Sequence, residues 1–545
     1  MMEAVVAVLF VFFRVPGPQL PDAPTLLAED ADGRIYFQVR TEAGPRLYVW
    51  NEERIVAAGD AGLGIVGHRV RRDGRRVGRI VVRNDRPVIS FPDWERDQHG
   101  NRWALRQDEP AEESNLAMLG QVGQVGGPEG PGKVVATGKW SHLLADDYGF
   151  VWAGGEDGLL RFDPRAPDKT HTEREEVTAL ALSPDGLAMV AIDDGGLYEV
   201  DVTKDGRATH RRLDSRGLPR SPVRGALTAS DGTIWAVTDG GVYHSRPREN
   251  AWRQNWRPLQ RLPYGNHDIF GAVLDDSLYV GGGMASHGYP PEYAFFDAIF
   301  RYAAREDIWE VAGRLERPRC YAGTARLGDL IWVIGGFYSV EGKRVATDRV
   351  EILDPETGEV VDGPRLKRPR AEPVVVTLGG RIYVVGGAAE KTEHRSMVSI
   401  GPGEEEWRSE PAAPGPARQA TGCTLGGYFY VFTGKHKAFR YDPRGREWTA
   451  LPAPEQLGRI PRAALCAAHD GEVWLMGGWD TDLPGTSWIY SPDANGWRRG
   501  PDLPVPLGWG AAVEIDGNLI IAGGAFHSRR HGYFIFSDGV FMLRE

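Results

Sequence analysis

The sequence predicts an all-β protein built as two tandem β-propellers, and three observations carry that reading. Glycine and proline, 70 and 38 of 545 residues, make up about 20% of the chain against an average near 12%, an excess that belongs to many tight turns. Pairs of short apolar strands separated by such turns recur from end to end. The recurrence changes pattern near residue 263, and a single ring of eleven or twelve blades would exceed the usual four to eight, so two rings are expected. With 17 Trp, 18 Tyr and 19 Phe the chain has enough large apolar side chains to fill two cores.

The composition also excludes. A net charge of −11 disfavours the phosphate backbone of nucleic acid and anionic lipid surfaces. No run of 18 apolar residues is present, so no integral membrane helix is expected. Cys320, Cys423 and Cys466 are too scattered for a disulfide framework or a zinc site, and they read as small buried hydrophobes.

Residues 1–23 read as a signal peptide and linker. Ala4 to Phe13 (AVVAVLFVFF) has the length of a signal-peptide core and is too short to span a bilayer, and the proline-rich Pro16 to Pro24 looks like a linker. Export is therefore expected. The flanks argue the other way, because Glu3 stands where a basic residue is usual and no small-x-small cleavage site follows. If the run is instead a buried strand, which its Val and Phe content suits, a cytoplasmic location is expected.

Residues 24–263 read as an N-terminal β-propeller of five or six degenerate blades. DDYGFVWAGGEDGLLRFDP (Asp146 to Pro164), SPDGLAMVAIDDGGLYEVD (Ser183 to Asp201) and ASDGTIWAVTDGGVYHSRP (Ala229 to Pro247) share a turn, a strand, a second turn and a second strand, the form of the middle hairpin of a four-stranded blade. These segments resemble the propeller repeats of bacterial two-component regulator sensors. ADGRIYFQV (Ala31 to Val39), HGNRWALRQ (His99 to Gln107) and a hairpin between His68 and Asp93 are further degenerate members, and Pro110 to Lys133 reads as a long loop.

Residues 264–545 carry a sharper repeat, in which a second apolar strand ends in Gly-Gly. Gly282-Gly283, Gly335-Gly336, Gly386-Gly387, Gly477-Gly478 and Gly523-Gly524, with Thr433-Gly434 in the remaining place, recur at spacings of 53, 51, 47, 44 and 46 residues. Tyr302 and Trp309, Ile400 and Trp407, Tyr441 and Trp448, and Tyr490 and Trp497 are each seven apart across turn-like segments. Two units depart from this second marker: Val360 or Val361 replaces one Trp, and Phe536 and Phe541 occupy the last unit. The pattern resembles the kelch repeat and implies a six-bladed propeller. Glycine is expected where the strand crowds its neighbours and the chain turns with positive φ, and Trp where it wedges between sheets.

Kelch proteins include protein-interaction modules, a copper-radical oxidase and a sialic acid mutarotase, so the resemblance constrains function weakly. The candidate binding residues come from loops expected on one face. Arg319, Arg370, Arg418 and Arg462 precede first strands 16, 16, 15 and 15 residues before the first diglycine position, the arrangement of an anion-binding ring unless each anchors its own blade. Tyr338, Trp479 and His527 follow diglycines, as do Tyr289, Phe337 and Phe526, while Tyr321, Glu372 and Trp509 sit near the starts of first strands. His527 and His531 lie four apart without an accompanying carboxylate, so no metal is expected, and no cofactor.

The resulting expectation is a non-enzymatic recognition protein presenting loop faces to a protein, peptide or glycan, with its oligomeric state open. The rival is a carbohydrate-active enzyme resembling the kelch-type sugar mutarotase, for which Glu372 is the one hint. No disulfide is expected between Cys423 and Cys466, whose one-residue difference in register sends them to opposite faces of equivalent strands.

Overall fold

Strand-forming residues alternate with glycine- and aspartate-rich turns throughout, and a computed structural model folds them into antiparallel sheets with almost no helix. It describes residues 133–544 apart from 167–169, 193–195, 204–206, 214–216, 220, 247–253, 288–291, 305–306, 391, 434–436, 455–459, 480–484 and 529–530. Before residue 133 it describes 12–14, 24–30, 34–41, 44–50, 55–57, 69–72, 76–83, 86–90, 95–96, 101–107 and 114–121. The chain divides into two units. The first is Met1–Arg253 with His287–Pro291 and Ser528–Tyr533, the second Gln254–Ser286, Glu292–His527 and Phe534–Glu545.

In the first unit the three quoted segments supply the second and third strands of successive sheets. Val151–Gly155 and Gly158–Phe162 lie between Trp140–Ala145 and His171–Glu173, and Ala188–Ile192 and Leu197–Val202 lie between Val177–Leu182 and Ala208–Arg212. The third sheet, Val223–Thr228, Ile234–Thr238 and Gly241–Ser245, takes its fourth strand from Phe12–Arg14, paired Phe12 to Ser245. The end of the N-terminal apolar run is thus sheet, while residues 4–11 lie outside the described residues. One expectation is corrected. Within the segment read as a loop, Ser114–Gln121 is a strand paired with Asn101–Gln107 and Lys133–Gly138; glycine-rich flanks hid a short apolar stretch. His531 lies between Ser528 Oγ at 2.8 Å and Asp201 Oδ1 at 2.9 Å, and no group of three metal-ligating side chains occurs among the described residues.

In the second unit the innermost strands Phe270–Leu274, Gly323–Leu327, Ala371–Leu378, Thr421–Leu425, Leu465–His469 and Ala511–Ile515 pack each on the next, and the last packs on the first. The unit takes in Trp256–Pro258, which precede the boundary expected near residue 263, because this strand pairs with Val540–Leu543 and completes the last sheet. That strand also supplies the Trp missing from the last repeat. Trp256 Nε1 donates to the Asp502 carbonyl at 3.0 Å, as Trp407, Trp448 and Trp497 donate to the carbonyls of Pro364, Pro411 and Pro452. Each indole spans one sheet to its predecessor, and Tyr302, Tyr441 and Tyr490 are the cross-strand partners of Trp309, Trp448 and Trp497.

The diglycines have the expected physical cause. A Cβ on Gly335 would stand 2.3 Å from the Arg370 carbonyl oxygen and one on Gly477 2.1 Å from that of Leu507, both at positive φ. The second glycine of each pair donates its N–H to the same carbonyl of the following repeat, as Gly336 does to Arg370 and Gly478 to Leu507. Gly434 lies outside the described residues.

Candidate functional site

Each repeat of the second unit holds one non-glycine residue in the left-handed conformation at the entrance to its innermost strand: Asp268, Tyr321, Glu372, Gln419, Ala463 and Trp509, with φ between 50° and 59°. Main-chain hydrogen bonds link them head to tail. Tyr321 N–H donates to Asp268 O, Glu372 to Tyr321, Ala463 to Gln419, Trp509 to Ala463, and Asp268 to Trp509. Side chains from six repeats therefore gather around one axis, which neighbour-to-neighbour packing alone would not arrange.

This ring divides the four arginines into two pairs. Arg319 and Arg370 stand two residues before their ring residues and are buried, 2% and 3% exposed. Their guanidiniums donate to the carbonyls of Gly335 and Gly386 in their own sheets, the role that Asn266 plays toward Gly282, and Arg319 also meets buried Glu351. Burial lowers both to about 10. Arg418 and Arg462 stand one residue before theirs and reach the preceding ring residue, Arg418 Nε to Glu372 Oε2 at 3.1 Å and Arg462 Nη1 to Gln419 Oε1 at 3.3 Å. The difference between 16 and 15 in their spacing marks two positions, so the four do not form one open anion ring.

Beside the axis lies a cavity of about 840 Å³. Hairpins that follow the diglycines wall it, including Phe337–Val340 with Lys343–Ala346. Tyr321, Tyr338 and Trp509 line it, joined by Arg317, Arg344 and Phe534. Trp479 stacks on Phe534 at 5.0 Å and leans on Trp509 at 4.9 Å, and both Trp479 and Phe534 are 37% exposed. His527 is exposed and packs edge-on against Phe534. Phe337 is buried against Tyr321. Tyr289 lies outside the described residues.

Charge in the site has two poles. Arg317 lies over the Tyr338 ring, Arg344 donates toward Met284 Sδ at 3.5 Å, and neither pairs with a carboxylate among the described residues. Asp268 is buried with His267 Nδ1 at 2.9 Å and Tyr321 beside it; burial pushes its carboxyl above the ordinary range against the pull of His267 and, more weakly, of Arg344. Burial raises Glu372 as well, against Arg418, and nearby Asp268 adds to the rise. His267, Asp268, Arg317, Arg344 and Phe534 escaped sequence reasoning. The ring residues were within reach, since each lies fifteen residues before the second glycine position of its repeat.

Comparison with known proteins agrees with this geometry. Residues 318–367 match the kelch motif. Alpha-scruin of Limulus polyphemus is 23% identical over 324 residues, 53% of this chain and 35% of that protein. Kelch-like protein 25 of Xenopus tropicalis is 23% identical over 263 residues, 46% of this chain and 43% of that protein. The chain thus spans less than half the length of these relatives. The solved structure of YjhT covers 52% of this chain and 95% of its own at 16% identity, with a TM-score of 0.44.

Proposed function

With its C-terminal unit a kelch-repeat β-propeller, the chain is, we propose, a recognition protein that captures an acidic, aromatic-bearing segment of a partner protein in the cavity beside the propeller axis. The observation that carries this reading is the pairing of Arg317 and Arg344, which lack carboxylate partners among the described residues, with an exposed shelf of Trp479 and Phe534. A carboxylate ligand gains charge-assisted hydrogen bonds from the guanidiniums, and a flat apolar group gains contact area on the shelf. Screening of a peptide array and a glycan array with the full chain tests it. Acidic peptides should be retained, weakened by salt and by Arg317→Ala, with Trp479→Ala costing about 1–3 kcal/mol of binding. Retention of neutral peptides alone would overturn the reading.

A second reading is favoured by the floor of the cavity. His267 and Tyr321 line the cavity and buried Asp268, its pKa raised, lies against both, a set that can hold and pass a proton as acid–base chemistry on a sugar requires. Anomer exchange of acidic sugars, followed by magnetisation transfer with and without Asp268→Asn, separates this reading from simple capture.

A further inference from the structure

Cys423 lies on Thr421–Leu425 and Cys466 on Leu465–His469, the innermost strands of adjacent sheets. Counted from the left-handed residues Gln419 and Ala463, Cys423 comes fourth and Cys466 third, so the side chains do leave equivalent strands on opposite faces. In a ring of sheets, however, the following face of one sheet packs on the leading face of the next. Opposite faces of neighbours meet, and the expectation that register keeps the two sulfurs apart is corrected. Both cysteines sit in one buried cluster with Tyr430, Phe432 and Leu475, and their thiols are in hydrogen-bonding contact. Cys320 packs elsewhere, with Met284, Phe337 and Ala371. All three are free thiols.

We propose that Cys423 and Cys466 form an oxidisable pair whose disulfide staples the fourth sheet of the C-terminal propeller to the fifth. A small-molecule disulfide such as oxidised glutathione is the oxidant. One protein thiolate attacks it and releases a glutathione thiol; the other then attacks the protein sulfur of the mixed disulfide and expels the second. Two protein thiols are oxidised and one external disulfide is reduced to two thiols, with the two protons passing to the released glutathione and solvent. Burial pushes the Cys466 thiol well up and shuts both side chains from solvent in the folded chain, so closure proceeds while the chain folds. The bond would add a covalent link between two sheets that otherwise meet through side-chain packing, the axial main-chain bonds and the hydrogen bonds of Trp497 and Arg462.

The test is refolding of the reduced, unfolded full chain in a glutathione redox buffer, followed by alkylation, peptide mapping and mass measurement. The expected result is two protected thiols, a mass lower by about 2 Da, Cys423 and Cys466 in one cross-linked peptide, Cys320 alkylated, and a melting temperature higher by ~5 °C that reductant reverses. Cys320→Ser should keep the cross-link, and Cys466→Ser should abolish it. Three alkylated thiols after refolding, a cross-link through Cys320, or glutathione left as the terminal adduct would each overturn the proposal. Should Cys466→Ser fail to fold, the peptide map of Cys320→Ser alone decides.

Discussion

The two units settle the same local problem, the turn that follows an innermost strand, by different chemistry. In the first, side chains cap the turn. Asp146 accepts from the Tyr148 and Phe150 N–H groups and from the Trp152 indole at 2.7 Å; one repeat on, Ser183 accepts from Asp185 and Leu187 and donates to Glu199. In the next, Ala229 has no acceptor to offer, so Asp231 takes the Thr233 N–H while Glu29 takes Ser230. In the second unit a left-handed residue makes the turn, a glycine at Gly328, Gly379 and Gly426 and an aspartate at Asp275, Asp470 and Asp516. A conformational demand leaves a narrow choice of residue at a fixed position, here Gly or Asp, whereas a capping demand can be met by several residues or passed to a neighbour. The second unit is consequently regular to the eye and the first is not.

The largest effect that could break this comparison is at a diglycine. Gly477→Ala forces a Cβ to 2.1 Å from the Leu507 carbonyl at a φ of 63°, while Gly328→Ala, at 62°, meets nothing within 4 Å. Left-handed strain alone costs about 1–2 kcal/mol; the clash should add about 2 kcal/mol more, for about 3–4 kcal/mol in all. Urea unfolding of the two variants measures the difference. Equal losses would mean that crowding at the axis is not what selects the diglycine.

How much of the site was legible follows from the same physics. Strand–turn alternation, the diglycines and the Tyr–Trp pairs were readable because each answers a local or neighbouring-strand demand. Tyr338, which follows a diglycine, and Tyr321 and Trp509, near the starts of first strands, were expected on one loop face, and all three line the cavity. Arg317 and Arg344 were not, because the one sits on a connection between sheets and the other on a hairpin, neither of whose lengths the repeat fixes. Trp256 was invisible for another reason: a ring closed by a strand from the start of its unit puts a repeat's last marker in front of its first.

Arg319→Ala is a change of similar size. It leaves the Glu351 carboxylate, 2% exposed, without its guanidinium and the Gly335 carbonyl without its donor, and should cost about 3–5 kcal/mol. Arg319→Ala with Glu351→Gln should recover part of that loss. If the double variant is no more stable than the single one, the ion pair is not the anchor.

The first unit should carry a pH dependence that burial of its capping Asp146 creates. Burial raises Asp146 from 3.8 to about 6, so between those values the folded chain holds a proton that the unfolded chain has released. Stability from this group is therefore present below pH 4 and lost as pH rises through about 6, roughly 2–3 kcal/mol in all. Asp146→Asn should flatten that part of the profile. Denaturant midpoints of both proteins at pH 4.5, 5.5 and 7 measure it, and parallel profiles would remove Asp146 as the source.

The smallest effect is also the one that best separates anchoring from recognition. Arg418 is 39% exposed on its side chain and holds the Glu372 carboxylate, and Arg462 reaches the Gln419 side chain, whereas Arg319 and Arg370 support main-chain carbonyls. Arg462→Ala should change stability by less than about 0.5 kcal/mol, since what it leaves behind is a neutral amide in a partly open position. Arg418→Ala should cost about 1 kcal/mol, because the Glu372 carboxyl stays buried and answers by holding its proton to still higher pH. That rise gives the measurement a direction: the Arg418→Ala loss should grow from pH 5 to pH 8 as the unpaired carboxyl is forced to ionise, while the Arg462→Ala loss stays flat. A pH-independent Arg418→Ala effect would mean that Glu372 is already protonated beside its arginine, and the axis would then hold a neutral acid where an ion pair is drawn.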